Sequence, residues 1–192
     1  MFNGECDNSI KQAFIESYSM PNDKLRLVVE TTSTYKMSRI YLAERDDTSK
    51  PVVIDWGDGT IEQINGNVSQ KEHTYASVGM FNVVVENVKS YSAEINGSWS
   101  DVPDNHYTLK QIVAMPNGIM TIAAYAFQDC KFLTYVKIGK NVTSIGNYAF
   151  DGCSGLTSVT IPNSVTGIGS FAFRFCSNLT SIVFKGKTLT EV

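Results

Sequence analysis

The chain has 192 residues, of which 43% are hydrophobic, so it is long enough for one large or two small globular domains. Its net charge of −3 and sequence pI near 5.4 argue against nucleic acid or an anionic membrane as the main partner. No window approaches the roughly 18 consecutive apolar residues of a membrane span, and the N-terminal stretch lacks the pattern of a secretory signal. We therefore expect neither nucleic-acid binding nor membrane insertion.

Residues 1–21 are expected to form a short N-terminal arm that contains one amphipathic helix. Ile10, Phe14 and Tyr18 recur every fourth residue, which places them on one helical face. A helix of about ten residues is marginal alone in water. Its apolar face should therefore dock, either on the next domain or on a partner.

Residues 22–97 change to the period-two pattern of β-strands. Strand-like segments lie at 25–30, 38–44, 51–56, 60–64 and 81–88. Asp58 and Gly59 supply a tight hairpin turn, and Tyr75 is expected to be buried at the bend before the last strand. The pattern predicts a small β-sandwich.

Two stretches of this segment resemble the PKD domain. The first is the aromatic-Gly-Asp-Gly sequence at 56–59, and the second is the His-x-Tyr-x-x-x-Gly-x-aromatic sequence at 73–81. Ile54 stands where that family usually has Trp, and Trp56 takes the place of its Phe. The resemblance implies an immunoglobulin-like sandwich that serves as a spacer or adhesion module in surface-displayed proteins.

Residues 98–108 are rich in turn formers and are expected to be a linker, and residues 109–192 form a repeat region. Apolar columns recur there every 23 residues: Ile122, Ile145 and Ile168; Phe127, Phe150 and Phe173; Cys130, Cys153 and Cys176; Leu133, Leu156 and Leu179. Such a period is the signature of a solenoid, whose repeats bury a core only by stacking. Strand rungs are expected near 112–115, 135–138, 158–161 and 181–184.

The repeat resembles the BspA-like leucine-rich repeats. The middle copy carries the motif I-G-x-x-A-F-x-x-C-x-x-L-x-x-V-x-I-P at residues 145–162. The first copy departs at Ala123 and Gly139, where the motif has Gly and Pro. The resemblance implies a right-handed, horseshoe-like stack with one short strand per turn, in a surface protein that binds host or matrix components.

The cysteines are expected to be free thiols. Cys130, Cys153 and Cys176 form one column, and Cys6 stands apart. Neighbouring rungs lie about 4.8 Å apart, which does not forbid a disulfide, but three equivalent cysteines cannot all pair. Buried thiols are therefore favoured. Zinc is disfavoured because no histidine lies near to complete a tetrahedron, and no metal or cofactor is expected.

No catalytic set emerges from the sequence, and we do not expect an enzyme. His73 and His106 lie in different modules, and neither stands near Ser or Cys in a nucleophile pattern. Asp55, Asp58 and Glu62 offer the oxygen ligands that calcium prefers. A solvated hairpin turn is the favoured interpretation of the two aspartates.

Candidate binding residues follow from strand alternation. If Val159 and Ile161 point into the core, alternate residues of three rungs point outward: Tyr135, Lys137, Ser158, Thr160, Ser181 and Val183. Concave solenoid faces are the usual binding surfaces, and a merely solvated sheet is the open alternative. Residues 185–192 are too short for another turn, so we expect a partner or a second copy to pack on that end, unless its lysines simply blunt it.

The patterns together predict a mainly β protein: a small immunoglobulin-like β-sandwich followed by a short leucine-rich-repeat solenoid, with a short N-terminal helical arm. The expected function is non-enzymatic recognition, adhesion or structural support, with a protein or glycan receptor as partner. Because no export signal is visible, a phage virion or phage-tail-like particle is favoured, with the arm docked on capsid or tail proteins. The alternative is a fragment of a secreted or wall-attached bacterial surface adhesin.

Overall fold

The computed structural model describes residues 24–33, 37–41, 50–65, 70–87 and 109–186. Among these residues the chain forms strands and no helix, so the mainly β fold is confirmed. The strands are β1 (Leu25–Thr31), β2 (Met37–Tyr41), β3 (Val52–Asp55), β4 (Ile61–Ile64), β5 (Gln70–Thr74), β6 (Gly79–Glu86), β7 (Leu109–Ala114), β8 (Thr121–Ile122), β9 (Tyr135–Val136), β10 (Ser144–Ile145), β11 (Ser158–Ile161), β12 (Gly167–Ile168) and β13 (Ser181–Phe184). The predicted arm and linker, Cys6 and His106 lie outside the described residues.

The strands of the first part of the chain pair antiparallel in two separate groups. β6 lies between β1 and β3, β3 also pairs with β4, and β2 pairs separately with β5. The sequence did not predict β5, because the segment Gln70–Thr74 contains no apolar residue to mark one face as buried. The immunoglobulin-like arrangement of these strands stays a prediction.

A cluster of aromatic rings fixes the core of this first part. Trp56 and Tyr75 are buried, as predicted for the tyrosine. The Tyr75 hydroxyl donates a hydrogen bond to the carbonyl oxygen of Trp56 over 3.2 Å, so its one polar atom is satisfied inside the core. Its ring stacks on Phe81, and the Trp56 ring stacks on His73. The sequence motif therefore joins the β3–β4 turn to β5 and β6.

Strand β7 joins the first sheet to the repeat region. It pairs antiparallel with β1 and parallel with β9, within one six-stranded sheet of order β4-β3-β6-β1-β7-β9. This double pairing explains why β7 begins at Leu109, before the predicted first rung. One cluster of buried hydrophobic residues also runs through both parts, from Leu25 to Cys176. The two parts therefore share a sheet and a core.

The repeats stack as a solenoid. Strands β9, β11 and β13 supply the predicted rungs, and Ser158–Ile161 pairs in parallel with Ser181–Phe184 at the expected offset of 23 residues. The resemblance implied one strand per turn, but a second parallel sheet of order β12-β10-β8 is present. Its strands are only two residues long, too short for a period-two pattern to reveal.

Stacked side chains fill the interior of the solenoid. The rings of Phe127 and Phe150 lie 5.1 Å apart, and those of Phe150 and Phe173 lie 5.3 Å apart. The turns also bond to one another, because the Phe150 amide donates to the Ala172 carbonyl over 2.8 Å. Phe173 is only partly buried, since no described rung covers it from the next turn. The 23-residue columns are therefore confirmed as the core in the first two copies, whereas in the third copy Ile168 is exposed and Phe173 and Leu179 are only partly buried.

Two glycines of the motif are required by close packing between turns. A β-carbon on Gly169 would lie 2.5 Å from the amide nitrogen of Asn147, and one on Gly146 would overlap the backbone of Ala124. Real β-carbons do not approach this closely, so neither position accepts a side chain without movement. The glycine of the I-G motif thus sets the spacing between neighbouring turns.

Candidate binding face

The candidate binding residues lie in the strands β9, β11 and β13, except Lys137, which directly follows β9. In β11, Ser158 and Thr160 are exposed, whereas Val159 and Ile161 are buried. The register places Ser158 opposite Ser181 and Thr160 opposite Val183, and Lys137 bridges to Thr160 on the other side. Alternate residues of adjacent rungs therefore form continuous rows that face away from the core. We call this surface the strand face.

A groove of about 320 Å³ runs along the strand face. Four of the six candidate residues line it: Tyr135, Lys137, Ser158 and Thr160. The floor also includes Met115 and Ile138 from the core side of the rungs. The groove lining combines the hydroxyl groups of Ser158 and Thr160 and the phenol ring of Tyr135 with some apolar surface.

Three lysines, Lys137, Lys140 and Lys185, line the groove, and its lining contains no Asp or Glu. Residues 109–186 carry six Lys and Arg against two Asp and no Glu, although the whole chain has a net charge of −3. The described solenoid is therefore basic within an acidic protein. Positive charge in a concave surface raises the local concentration of anionic groups.

The last described rung, β13, is exposed on both faces. Ile182 and Phe184 occupy the positions of the buried Val159 and Ile161 in the preceding rung, yet they are 42% and 44% exposed. The last described rung thus exposes apolar side chains, and packing of a partner or a second copy on it stays a prediction. Residues 187–192, which follow it, lie outside them.

The turn side of the solenoid holds an aromatic and ionic spine. Tyr125, Tyr148 and Phe171 stack on one another at 5.1 and 5.2 Å, and each adopts a positive φ near 60°. The guanidinium of Arg174 lies over the Tyr148 and Phe171 rings and donates two hydrogen bonds to the buried Asp151 carboxylate. These bonds hold the pKa of Asp151 below its usual range. The stacking indicates a packing role for this aromatic column.

The cysteine column is buried and free of disulfides, as predicted for Cys130, Cys153 and Cys176. The Cys153 thiol donates to the Phe127 carbonyl and the Cys176 thiol to the Phe150 carbonyl, each over 3.1 Å. Burial raises the pKa of all three thiols, to about 11 for Cys176. Protonated thiols therefore fill the turns as small hydrophobic side chains and as donors.

The aspartates of the β3–β4 hairpin bond within the turn. Asp55 Oδ1 accepts from the Gly57 amide over 2.9 Å, and Asp58 Oδ1 accepts from the Thr60 amide over 3.0 Å. Asp58 Oδ2 lies 2.7 Å from His73 Nε2. Although desolvation opposes the change, the bonds from His73 and Thr60 lower the pKa of Asp58. Among the described residues no group of three or more His, Cys, Asp or Glu could hold a metal.

Sequence reasoning missed Lys140 and Asn163, and it assigned Lys185 to the end of the stack rather than to a groove. Lys140 and Asn163 share one column of the repeat, and Lys185 continues the column of Gly139 and Pro162. These positions follow the strands, so alternation within a strand does not reveal them. Extending the 23-residue register beyond each strand would have placed them beside the strand face.

Residues 104–192 match the sequence model of the BspA type leucine-rich repeat region, in six copies. The predicted BspA-like repeats are thus confirmed for this part of the chain. A solved structure of a leucine-rich repeat protein from T. pallidum is similar at 38% identity and a TM-score of 0.35. The similarity covers 36% of this chain and 32% of that one, so the chain spans about a third of that protein. None of the curated proteins matches.

No helix of the described part of the chain is long and apolar enough to cross a membrane.

Proposed function

We propose that the protein is a non-enzymatic recognition module that binds a partner protein through the strand face. The observation that carries this proposal is the groove of about 320 Å³, which coincides with Tyr135, Lys137, Ser158 and Thr160. Leucine-rich repeats generally serve as binding surfaces rather than as catalysts, and the match over residues 104–192 supports that class.

The rigidity of the strand face favours recognition by side chains. The backbone groups of β11 pair with β13, and Lys137 pairs with Thr160, so neighbouring strands already satisfy much of its hydrogen bonding. Buried residues on the opposite side of each strand, such as Val159 and Ile161, hold the outward rows in place. Preorganised side chains lose less conformational entropy when a partner binds. A ligand would therefore meet fixed rows of hydroxyl and amino groups.

The second part of the proposal concerns the structure to which the protein is attached. The strand face would serve equally on a phage virion or tail-like particle and on a bacterial cell surface. Density-gradient fractionation of producing cells separates the two, because a particle component sediments with capsid or tail proteins. Recovery in the wall fraction, with loss on protease treatment of intact cells, would contradict the particle mounting.

The experiment that tests the proposed function is site-specific photo-crosslinking. A benzoylphenylalanine replaces either Thr160 in β11 or Thr166, which is also exposed and lies beside β12 in the second parallel sheet. Both proteins are incubated with extracts or surface fractions of candidate partner cells and are irradiated. We expect a discrete crosslinked protein from the Thr160 position and none from the Thr166 position.

Two results would contradict the proposal. One is a discrete partner captured from Thr166 but not from Thr160, because the recognition surface would then lie on the second sheet. The other is a crosslink from Thr160 that persists when a bulky Trp replaces Ser158 in the same protein. A partner seated in the groove must be displaced by that side chain, which would occupy the next outward position of the same strand.

A further inference from the structure

The lysines of the strand-face groove indicate the chemistry of the ligand. Lys140 and Lys185 are exposed, line the groove and make no ion pair within the described part of the chain. The two acidic residues of the described solenoid do not line the groove, and Asp151 is engaged by Arg174 on the turn side. Among the described residues, no carboxylate therefore lines the groove or forms an ion pair with Lys140 or Lys185.

The spacing of these cations is sparse. Lys140 follows the β9 rung and Lys185 follows the β13 rung, with the neutral Asn163 after the β11 rung between them. Two rung separations amount to about 10 Å, and the intervening surface carries the hydroxyls of Ser158 and Thr160. With Lys137 on the β9 rung, the groove thus carries three lysines, set among neutral hydrogen-bonding groups.

We propose that this groove binds an acidic segment of a partner protein in an extended conformation. The proposal rests on the proposed function and names the ligand class for the same face. Carboxylates pair with lysine ammonium groups, and peptide groups between them can bond to the hydroxyls of the strand face. The apolar atoms of Met115 and Ile138 in the lining suit the intervening side chains of a peptide.

A sulfated polysaccharide fits the same observations less well. A densely charged chain is best matched by closely spaced cations, and by arginine in particular, whose planar fork binds such oxyanions through two parallel hydrogen bonds. The groove lining has three lysines and no arginine. The neutral residues between Lys140 and Lys185 would leave sulfate groups unpaired.

The test uses the whole chain and two fluorescein-labelled decapeptides, one of alternating Glu and Ser and one of alternating Gln and Ser. Fluorescence anisotropy is measured in 50 mM salt and again in 300 mM salt. We expect binding of the Glu peptide alone, weakened by about tenfold at the higher salt because exposed charge pairs are screened. The double variant Lys140→Glu/Lys185→Glu should weaken it by about tenfold or more.

The matched control is Lys50→Glu/Lys131→Glu, which changes the net charge equally at exposed positions outside the groove. It should bind the Glu peptide as the wild type does. Equal weakening by both double variants would overturn the proposal, because the peptide would then sense only net charge. Binding of heparin at the groove lysines without binding of the Glu peptide would also overturn it.

The photo-crosslinking experiment separates this inference from the proposed function. If the groove lysines are reversed and the Thr160 crosslink persists, the ligand class is wrong and the strand face remains the binding surface. If Thr160 captures no partner while the Glu peptide still binds in a lysine-dependent manner, the proposed partner-binding role fails and the acidic-peptide preference stands.

Discussion

Replacing Phe150 with alanine tests the stacked core most severely. The ring is fully buried and lies between those of Phe127 and Phe173, at 5.1 and 5.3 Å. Truncation of a buried Phe lowers the free energy of unfolding by about 3–5 kcal/mol, and each stacked pair contributes about 0.5–1.5 kcal/mol beyond buried area. Because Phe150 loses partners on both sides, we expect about 4–5 kcal/mol, or a decrease in melting temperature of roughly 10–15 °C.

Urea unfolding and thermal melting measure this change, with Phe175→Ala as the control. Phe175 is an aromatic residue of the same repeat array, but it is 71% exposed, and the Arg174 guanidinium carbon lies 4.6 Å from the centre of its ring. Its truncation should lower the free energy of unfolding by about 1 kcal/mol or less. A Phe150→Ala protein no less stable than Phe175→Ala would refute the stacked register.

Three further changes test the packing between turns, the thiols and the buried ion pair. Gly146→Ala should lower the free energy of unfolding in urea by about 1–3 kcal/mol through overlap with the Ala124 backbone, whereas Gly167→Ala, with open space at its β-carbon, should be nearly neutral. Burial raises the pKa of Cys176 to about 11. The protonated thiol therefore stabilises the folded state fully at pH values below the usual pKa of a thiol, and this stabilisation is lost as the pH rises toward the raised pKa. Wild type should therefore lose more stability between about pH 9 and pH 11 than Cys176→Ala does, and equal slopes would contradict this. Arg174→Met should lower the free energy of unfolding at pH 7, because Asp151 loses both bonds from Arg174 and keeps only the one from Gln128. Because Arg174 lowers the pKa of Asp151, the difference from wild type should be present at pH 7 and should shrink as the pH falls below about 4.

The repeat region could be predicted from the sequence because its apolar residues recur at a fixed interval. Phe150, Cys153 and Leu156 each recur at intervals of 23 residues, and each lies in the buried stack. Period two within β11 then sufficed to predict which residues face outward, since one side of that strand is buried and the other is exposed. The outward rows of the strand face therefore follow from the amino-acid sequence alone.

Features that depend on pairing between distant segments could not be predicted. The pairing of β7 with β1 joins residues about 85 apart, and no local pattern specifies it. The positive φ of Tyr125, Tyr148 and Phe171 is unusual for non-glycine residues and follows from the stacked turns rather than from residue preference. Lys140 was missed, and Lys185 was assigned only to the end of the stack, because a groove is formed by neighbouring turns, which an alternation rule applied strand by strand does not describe.

The most direct test of the central claim is the affinity of the photo-crosslinked partner for variants of the two parallel sheets. Biolayer interferometry would compare Ser158→Trp/Thr160→Trp on the strand face with Thr166→Trp/Ser170→Trp beside the second sheet, all four positions being exposed. We predict that the strand-face variant binds at least about tenfold more weakly than wild type, while the second-sheet variant binds as wild type does. Unchanged affinity of the strand-face variant, or a larger loss from the second-sheet variant, would contradict the claim that the strand face is the recognition surface.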